Sequence, residues 1–298
     1  MSGPIQTTTQ TTAPADEPGA GGFEFSRAAA VLTDAASKSG AAIMAHFNVA
    51  MEVKFKGDNS PVTQVDQQSE AIILAALARL APGIEVVSEE SCGTIGALPR
   101  RFFLVDPLDG TKEFIQRRSD FTVNVALIED GRPSFGLVYA PARALLAVTV
   151  ADGNAVSAEL HPSASGADFS QLRLSTLRAR VPGPQGLTAL VSLSHLDRET
   201  EAYLAKLTIA GRSSIGSSVK FVALARGEAD IYPRFGPTME WDTAAGQAVL
   251  EAAGGRVVTL SGEPLRYGKT EAGLRNPSFV AWGADAGRPP FSNSLGKS

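Results

Sequence analysis

The sequence predicts an α/β protein in which layers of helix and sheet alternate, and three observations carry that expectation. Phe102-Phe-Leu-Val105 is an apolar run without polar alternation, the mark of a strand buried on both faces. Segments of helical period alternate with segments of strand period along the chain. Acidic residues recur where such segments meet, at Asp66, Glu89-Glu90, Asp106/Asp109 and Asp242, and strand ends and helix starts are where α/β proteins collect ligands.

The 298 residues suffice for one large domain or two smaller ones, and 44% hydrophobic with 19% charged residues is ordinary for a globular chain. A net charge of −4 and a pI near 5.5 argue against a nucleic-acid-binding surface. Arg100-Arg101 and Arg117-Arg118 flank the central acidic motif, either drawing anions inward or forming a solvated surface. The single cysteine, Cys92, rules out an intramolecular disulfide and fits a reducing compartment. It stands close to Glu90, so it is either a redox group or an incidental loop thiol. His46, His161 and His195 are too scattered for a zinc site.

Residues 1–22, rich in Thr, Gln, Pro, Ala and Gly, read as a disordered tail rather than a signal peptide. No stretch has the length and apolarity of a membrane span; the most apolar helical stretch, Ala71 to Ala81, is short and contains Arg79. A first helix is expected from about Ser26 to Phe47, with Val31, Ala35 and Ile43 inward, then a half-exposed strand over Met51 to Lys56 and a turn at Asp58 to Pro61. Thr63-Gln-Val-Asp66 has the form of a capping box opening a helix with Ile73, Leu77 and Leu80 on one face, which leaves Asp66 as either a cap or a functional carboxylate. Pro82-Gly83 ends that helix. Ile84 to Ser88 is a strand leading into Glu89-Glu90, an exposed acidic turn or a ligand pair.

Next comes Arg101-Phe-Phe-Leu-Val-Asp106-Pro-Leu-Asp109-Gly-Thr111, with Lys112-Glu-Phe-Ile115 after it. Pro107 fixes its own φ and holds Asp106 extended, Gly110 permits close backbone approach, and Thr111 is expected to cap a helix starting at Lys112. Free amides at a helix start attract anions, while paired carboxylates repel them unless a cation intervenes. A divalent ion bridging Asp106 and Asp109 to a phosphate resolves the conflict; the alternative is a plain Asp-Pro turn between strand and helix.

Beyond it, strands over Phe121 to Ile128 and Pro133 to Tyr139 flank Asp130-Gly131, a strong hairpin signal, and Ala144 to Val150 continues the antiparallel run. Residues 161–186 form a boundary or a variable insertion. Thr188 to Ser194 is a strand and Asp197 to Leu207 a helix. Gly216-Ser-Ser-Val-Lys220 opens a further helix with Val219, Val222 and Ala223 inward, and Ala229 to Tyr232 is a strand. Trp241-Asp242 starts a helix that runs to Ala253 and closes with Gly254-Gly255. Val257 to Leu260 and Phe279 to Trp282 complete a second sheet.

Oxygen ligands without His or Cys select a hard cation such as Mg²⁺, and phosphate is the natural substrate group for a pair of such ions. The acidic pattern, closed by Trp241-Asp242 and Gly254-Gly255, resembles the Mg²⁺-dependent, lithium-sensitive phosphomonoesterase superfamily of inositol monophosphatases and fructose-1,6-bisphosphatases. Ser60-Pro-Val-Thr63, Gly110-Thr-Lys-Glu-Phe-Ile115, Ser214-Ile-Gly-Ser-Ser-Val-Lys220, Tyr232-Pro-Arg-Phe-Gly-Pro-Thr238 and Trp241-Asp-Thr-Ala-Ala-Gly246 are similar to its CysQ branch, the 3′(2′),5′-bisphosphate nucleotidases. The resemblance covers about residues 25 to 282.

That resemblance implies an αβαβα sugar-phosphatase fold in two subdomains with the active cleft between them. Residues 23–150 would supply most metal ligands, and 151–298 the substrate wall and Asp242. It implies two Mg²⁺ ions, one on Glu89, Asp106 and the Leu108 carbonyl, the other on Asp106, Asp109 and Asp242, with a third, weaker ion leaning on Glu89. Asp66 and Thr111 would orient the attacking water, and Gly110, Thr111 and Lys112 would meet the phosphate. His195, Ser217, Lys220 and Arg234 would face the rest of a nucleotide bisphosphate, beside Glu89, Asp109 and Asp242. Each has a plainer reading: His195 as a helix start, Ser217 as a cap, Lys220 as solvated, Arg234 as a loop pin. Leu193 departs from the Ser-Arg-Ser-His string of many relatives. The implied activity is conversion of 3′-phosphoadenosine 5′-phosphate to AMP and phosphate in the cytoplasm, with peripheral attachment to the inner membrane face and oligomeric state left open. The alternatives are an inositol-phosphate phosphatase and a non-catalytic phospho-ligand sensor.

Overall fold

A computed structural model describes residues 23–47, 49, 54–55, 61–62, 64–93, 96–192 and 197–284. The expectations for the tail, for Asp58 to Ser60, for Thr63 as a cap and for His195 lie outside the described residues, as does most of the Met51 to Lys56 strand.

The first half contains α1 (Phe25–His46), β1 (Lys54–Phe55), β2 (Pro61–Val62), α2 (Gln64–Leu80), β3 (Glu85–Ser88), β4 (Arg101–Asp109) and α3 (Thr111–Ile115). It continues through β5 (Thr122–Glu129), β6 (Arg132–Ala140), β7 (Leu145–Thr149), β8 (Ala155–Glu159) and β9 (Ser175–Thr176). Strands β3 to β9 lie in sequence order in a seven-stranded sheet, antiparallel except for the β3–β4 pair. The hairpin at Asp130-Gly131 forms as its residues dictate, with φ of 51° and 74°, the positive values of a two-residue turn.

The second half contains β10 (Leu187–Ser192), α4 (Arg198–Leu204), β11 (Ile209–Ile215), α5 (Val219–Ala225), β12 (Ile231–Arg234), α6 (Ala244–Ala252), β13 (Arg256–Thr259) and β14 (Phe279–Trp282). Its five-stranded sheet has the order β11-β10-β12-β14-β13. Asp197 caps α4 by accepting the Thr200 N–H at 2.7 Å. Gly254, at φ 92°, ends the α6 segment in the left-handed conformation that only glycine adopts freely.

The burial pattern sorts these elements into layers. On one face of the first sheet, Phe103, Val105, Leu127 and Leu137 pack with Leu32, Ile43, Ile73 and Leu77 of α1 and α2. On the other face, Phe102, Leu104, Ala126 and Ile128 meet Val222, Ala245 and Val249 of α5 and α6. That helix pair also meets Tyr232, Val257, Phe279 and Ala281 of the second sheet, whose opposite face packs through Val191, Ile231 and Val280 against Leu204 of α4. The order is αβαβα, and β4 alternates its apolar side chains between two cores because both its faces are covered.

Two segments differ from the sequence reading. Strand β11 is unforeseen, no element being expected between Leu207 and Gly216; it is an edge strand with much of its surface exposed, so no apolar alternation marks it. Residues 161–186 are not only a connection, since β9 pairs with β8 and closes the first sheet; the change of sheet falls between Thr176 and Leu187. Helix α6 also lies tight on β6: a Cβ on Gly136 would sit 2.4 Å from the Ala245 carbonyl oxygen and 2.8 Å from the Ala248 Cβ. Gly136→Ala is therefore expected to destabilise the protein by about 1–3 kcal/mol, the usual cost of overpacking, and a urea midpoint equal to wild type would refute that fit.

Candidate active site

The site grows from an irregularity in β4. Asp106 pairs with Asn124 and Asp109 with Thr122, so three steps along β4 match two along β5. Pro107 has no N–H to give the ladder, and the extra residue bulges out. Without the bulge, residues an odd number of places apart would face opposite sides of the sheet. With it, oxygens of Asp106, Asp109 and Asp242 lie within 4.8 Å of one another. The expectation that the strand stops at Val105 is thus corrected: it runs through Asp109 and bends the two carboxylates together.

Each carboxylate is held by its own local structure. Asp106, 1% exposed, accepts the Leu108 N–H at 3.0 Å. Asp242 accepts the Met239 N–H at 2.8 Å; it sits in the turn ahead of α6, which begins at Ala244 and not at Trp241. Asp109 accepts the Ser218 N–H at 2.8 Å and the Ser217 hydroxyl at 2.5 Å, both on Oδ2. The Ser217 hydroxyl has one proton, so Thr122, 2.6 Å from it, must be the donor of that pair. Glu89 follows β3; the parallel β3–β4 pairing sets it beside the bulge, where its N–H donates to the Val105 carbonyl at 3.1 Å and its side chain lines the cleft.

Thr111 does not cap α3. Gly110, at φ 89°, occupies the cap position, and Thr111 is the first helical residue. The change frees its hydroxyl, which donates toward Asp66 Oδ1 at 3.4 Å and the Leu108 carbonyl at 3.1 Å. Asp66, in the first turn of α2, is 1% exposed with its carboxylate facing Thr111.

Burial pushes the Asp106 carboxyl well above the usual range, and Glu89, Asp109 and Asp242 push it further. Asp242 is raised by burial, then by Asp109 and Glu89. Protein dipoles alone leave Asp106 and Asp242 reluctant to ionise, whereas a hard divalent cation among the cluster's oxygens would offset the repulsion. The donor set fits such an ion.

Asp109, Gly110, Thr111, Lys112, Ser217, Lys220, Arg234 and Asp242 line one cleft with Glu89, of about 990 Å³ including open solvent. Lys220 is not solvated: it is 4% exposed, donates to the Ile215 and Ser217 carbonyls at 3.2 and 2.7 Å, and lies 5.0 Å from the Tyr232 ring centroid. Burial, with Asp109 opposing and Arg234 assisting, brings its ammonium down to about 8. Arg234 is 7% exposed and donates to the Ser192 hydroxyl and the Pro237 carbonyl, while its buried Nε has no hydrogen-bond partner among the described residues. Sequence reasoning missed Ser218, which donates to Asp109, and Thr122 and Asn124, which hold Ser217 and Ser218. Two polar residues on one face of the otherwise apolar Phe121 to Ile128 strand were the available signal.

Among the described residues no helix is long and apolar enough to cross a membrane. The sequence profile of the inositol monophosphatase family matches residues 25–285. The 3′(2′),5′-bisphosphate nucleotidase CysQ of Escherichia coli O157:H7 is 43% identical over 248 residues, 82% of this chain and 95% of that protein. CysQ of Buchnera aphidicola is 38% identical over 83% of this chain and 90% of its own length. The crystal structure of CysQ from Bacteroides thetaiotaomicron aligns with a TM-score of 0.71 at 36% identity, covering 87% of this chain and 97% of that one. An inositol monophosphatase from Anabaena, at 24% identity and a TM-score of 0.64 over 85% of this chain and 89% of that one, shares the fold.

Proposed function

Because the chain belongs to the inositol monophosphatase family, we propose that it is a Mg²⁺-dependent 3′(2′),5′-bisphosphate nucleotidase that hydrolyses the 3′-phosphate of 3′-phosphoadenosine 5′-phosphate to give AMP and phosphate. The observation that carries the reading is the convergence of Asp106, Asp109 and Asp242 in a cleft whose wall also holds two buried cations, Lys220 and Arg234. The named activity of the CysQ relatives supports the nucleotide.

In this reading Glu89, Asp106 and the Leu108 carbonyl hold one ion, and Asp106, Asp109 and Asp242 a second. Bound there, Mg²⁺ supplies a lowered water pKa and positive charge opposite the phosphoryl oxygens. The Thr111 hydroxyl takes a proton from the attacking water as it passes its own to Asp66 Oδ1. The water oxygen bonds to phosphorus, the bond to the 3′-oxygen breaks, and that oxygen takes a proton from a solvent water to leave as the ribose hydroxyl, while Asp66 returns its proton to solvent before the next turnover. Gly110, Thr111 and Lys112 face the transferred phosphate, while Ser217, Lys220 and Arg234 bind the remainder of the nucleotide. The Arg234 guanidinium, on the cleft wall, supplies positive charge for an anionic substrate group. Residues 23–150 bring most metal ligands and 151–298 the substrate wall, and a chain with the single cysteine Cys92 fits the cytoplasm as its compartment.

The test is phosphate release with Mg²⁺ from 3′-phosphoadenosine 5′-phosphate, inositol 1-phosphate and fructose 1,6-bisphosphate. A kcat/KM for the nucleotide about tenfold or more above the other two is expected, since buried cations left unmatched by a smaller substrate penalise it. Preference for inositol 1-phosphate would overturn the substrate and keep the chemistry. Binding of all three without turnover would overturn the enzyme reading.

A further inference from the structure

We propose that Asp120 is a positioning residue for the metal site, clamping the β11–α5 loop so that Ser217 and Ser218 hold one oxygen of Asp109 and leave the other for the cation. The inference rests on Asp109 being a metal ligand, as proposed above.

Asp120 lies in the connection from α3 to β5, with its side chain 8% exposed. Its Oδ2 accepts the Gly216 N–H at 2.9 Å, and its Oδ1 accepts Nε of Arg143 at 2.9 Å together with Nη2 of the same guanidinium. The loop has no slack at that point. A Cβ on Gly216 would sit 2.8 Å from the Asp120 Cβ and 3.0 Å from its carbonyl oxygen, so the loop backbone rests directly on Asp120. The next residue, Ser217, has φ 52°, a left-handed conformation that a non-glycine residue holds only under constraint from both sides. Upstream the constraint is the Gly216–Asp120 bond. Downstream it is the pair of bonds from Ser217 and Ser218 to Asp109 Oδ2. Asp109 thereby receives two donors on one oxygen, which fixes the rotation of its carboxylate. Partners of this kind, one shell out from a metal, set ligand orientation.

A merely structural ion pair would behave differently. Arg143 is 37% exposed, so its pairing with Asp120 contributes little on its own, and the buried bond to Gly216 carries the effect. Asn at position 120 has one acceptor between two donors. Whichever way its amide turns, the NH₂ meets either Gly216 N–H or the guanidinium. Removing Arg143 as well lets the amide oxygen turn to Gly216.

The experiment measures Mn²⁺ binding, as a probe for Mg²⁺, to the full chain by electron paramagnetic resonance of the free ion. Asp120→Asn is expected to weaken the Kd roughly tenfold or more, Arg143→Met to leave it unchanged, and Asp120→Asn with Arg143→Met to recover most of the loss. An unchanged Kd in Asp120→Asn, or no recovery in the double variant, overturns the inference. Should Asp120→Asn fail to fold, Gly216→Ala lifts the same loop from the other side and must weaken binding likewise; unaltered binding there also overturns it. Asp109→Asn separates the two levels. Weakened binding there beside an unaffected Asp120→Asn sinks only this inference, whereas an unaffected Asp109→Asn sinks the ligand reading beneath it.

Discussion

Asp106→Asn is expected to fold, to lose turnover by about 10³-fold or more, and to be more stable than wild type once metal is stripped away. The loss of rate follows from the place of Asp106 at the centre of the acidic cluster, shared in the proposed reading between both ions. Removing that charge forfeits electrostatic stabilisation of several kcal/mol, and about 4 kcal/mol corresponds to a thousandfold. The gain in stability follows from its burial. With no cation present, the carboxyl is pushed well above the usual range by burial and then by Glu89, Asp109 and Asp242. A carboxyl raised on folding stabilises most fully below its unfolded value of about 4, and that contribution is lost as pH rises toward the folded value. The asparagine does not titrate. The difference in thermal midpoint between variant and wild type, measured in chelator, should therefore widen in favour of the variant as pH rises from about 4. Wild-type turnover in the variant would refute the assignment of Asp106, and a midpoint difference that stays flat with pH would refute the electrostatic account of the cluster.

The legibility of this site in the sequence depended on the range of the interaction concerned. Asp106-Pro-Leu-Asp109-Gly signals itself because Pro107 and Gly110 act on their own backbone, and the sequence sufficed to mark the segment as special. It did not disclose the bulge, which exists only against β5, where Asp109 pairs with Thr122. The same limit explains Thr111. A threonine before a helix reads as a cap from local propensity, yet Gly110 takes the cap conformation and Thr111 turns to Asp66 on α2. The plainer alternative for Lys220, a solvated side chain, stayed open because nothing local says that α5 is sandwiched between two sheets; the buried Phe221, Val222 and Leu224 beside it belong to the core spanning both. Asp120 and Ser218 were invisible for the opposite reason. They carry no pattern of their own: Asp120 matters through the Gly216 N–H that a distant loop brings to it, and Ser218 through its own N–H, which reaches Asp109.

Thr111→Val should lower kcat by roughly 10² to 10⁴-fold, the range a positioned proton-transfer group supplies, with KM changed far less. Valine keeps the shape of threonine and removes only the hydroxyl, so packing at the start of α3 is preserved. What disappears, in the proposed reading, is the proton path from the attacking water to Asp66, together with the donor now aimed at Asp66 Oδ1 and the Leu108 carbonyl. Asp66 has no direct part in this path other than as acceptor of that proton; its buried carboxylate faces the hydroxyl, not the open cleft. The two residues should therefore act as one unit. Asp66→Asn alone should cost about as much in kcat as Thr111→Val, and the double variant little more than either single one, because a broken relay is not broken further by losing its second member. Multiplying effects would mean that Thr111 and Asp66 serve separate steps, and the relay would have to be abandoned even if both proved essential. A fall confined to KM would assign Thr111 to phosphate binding alone.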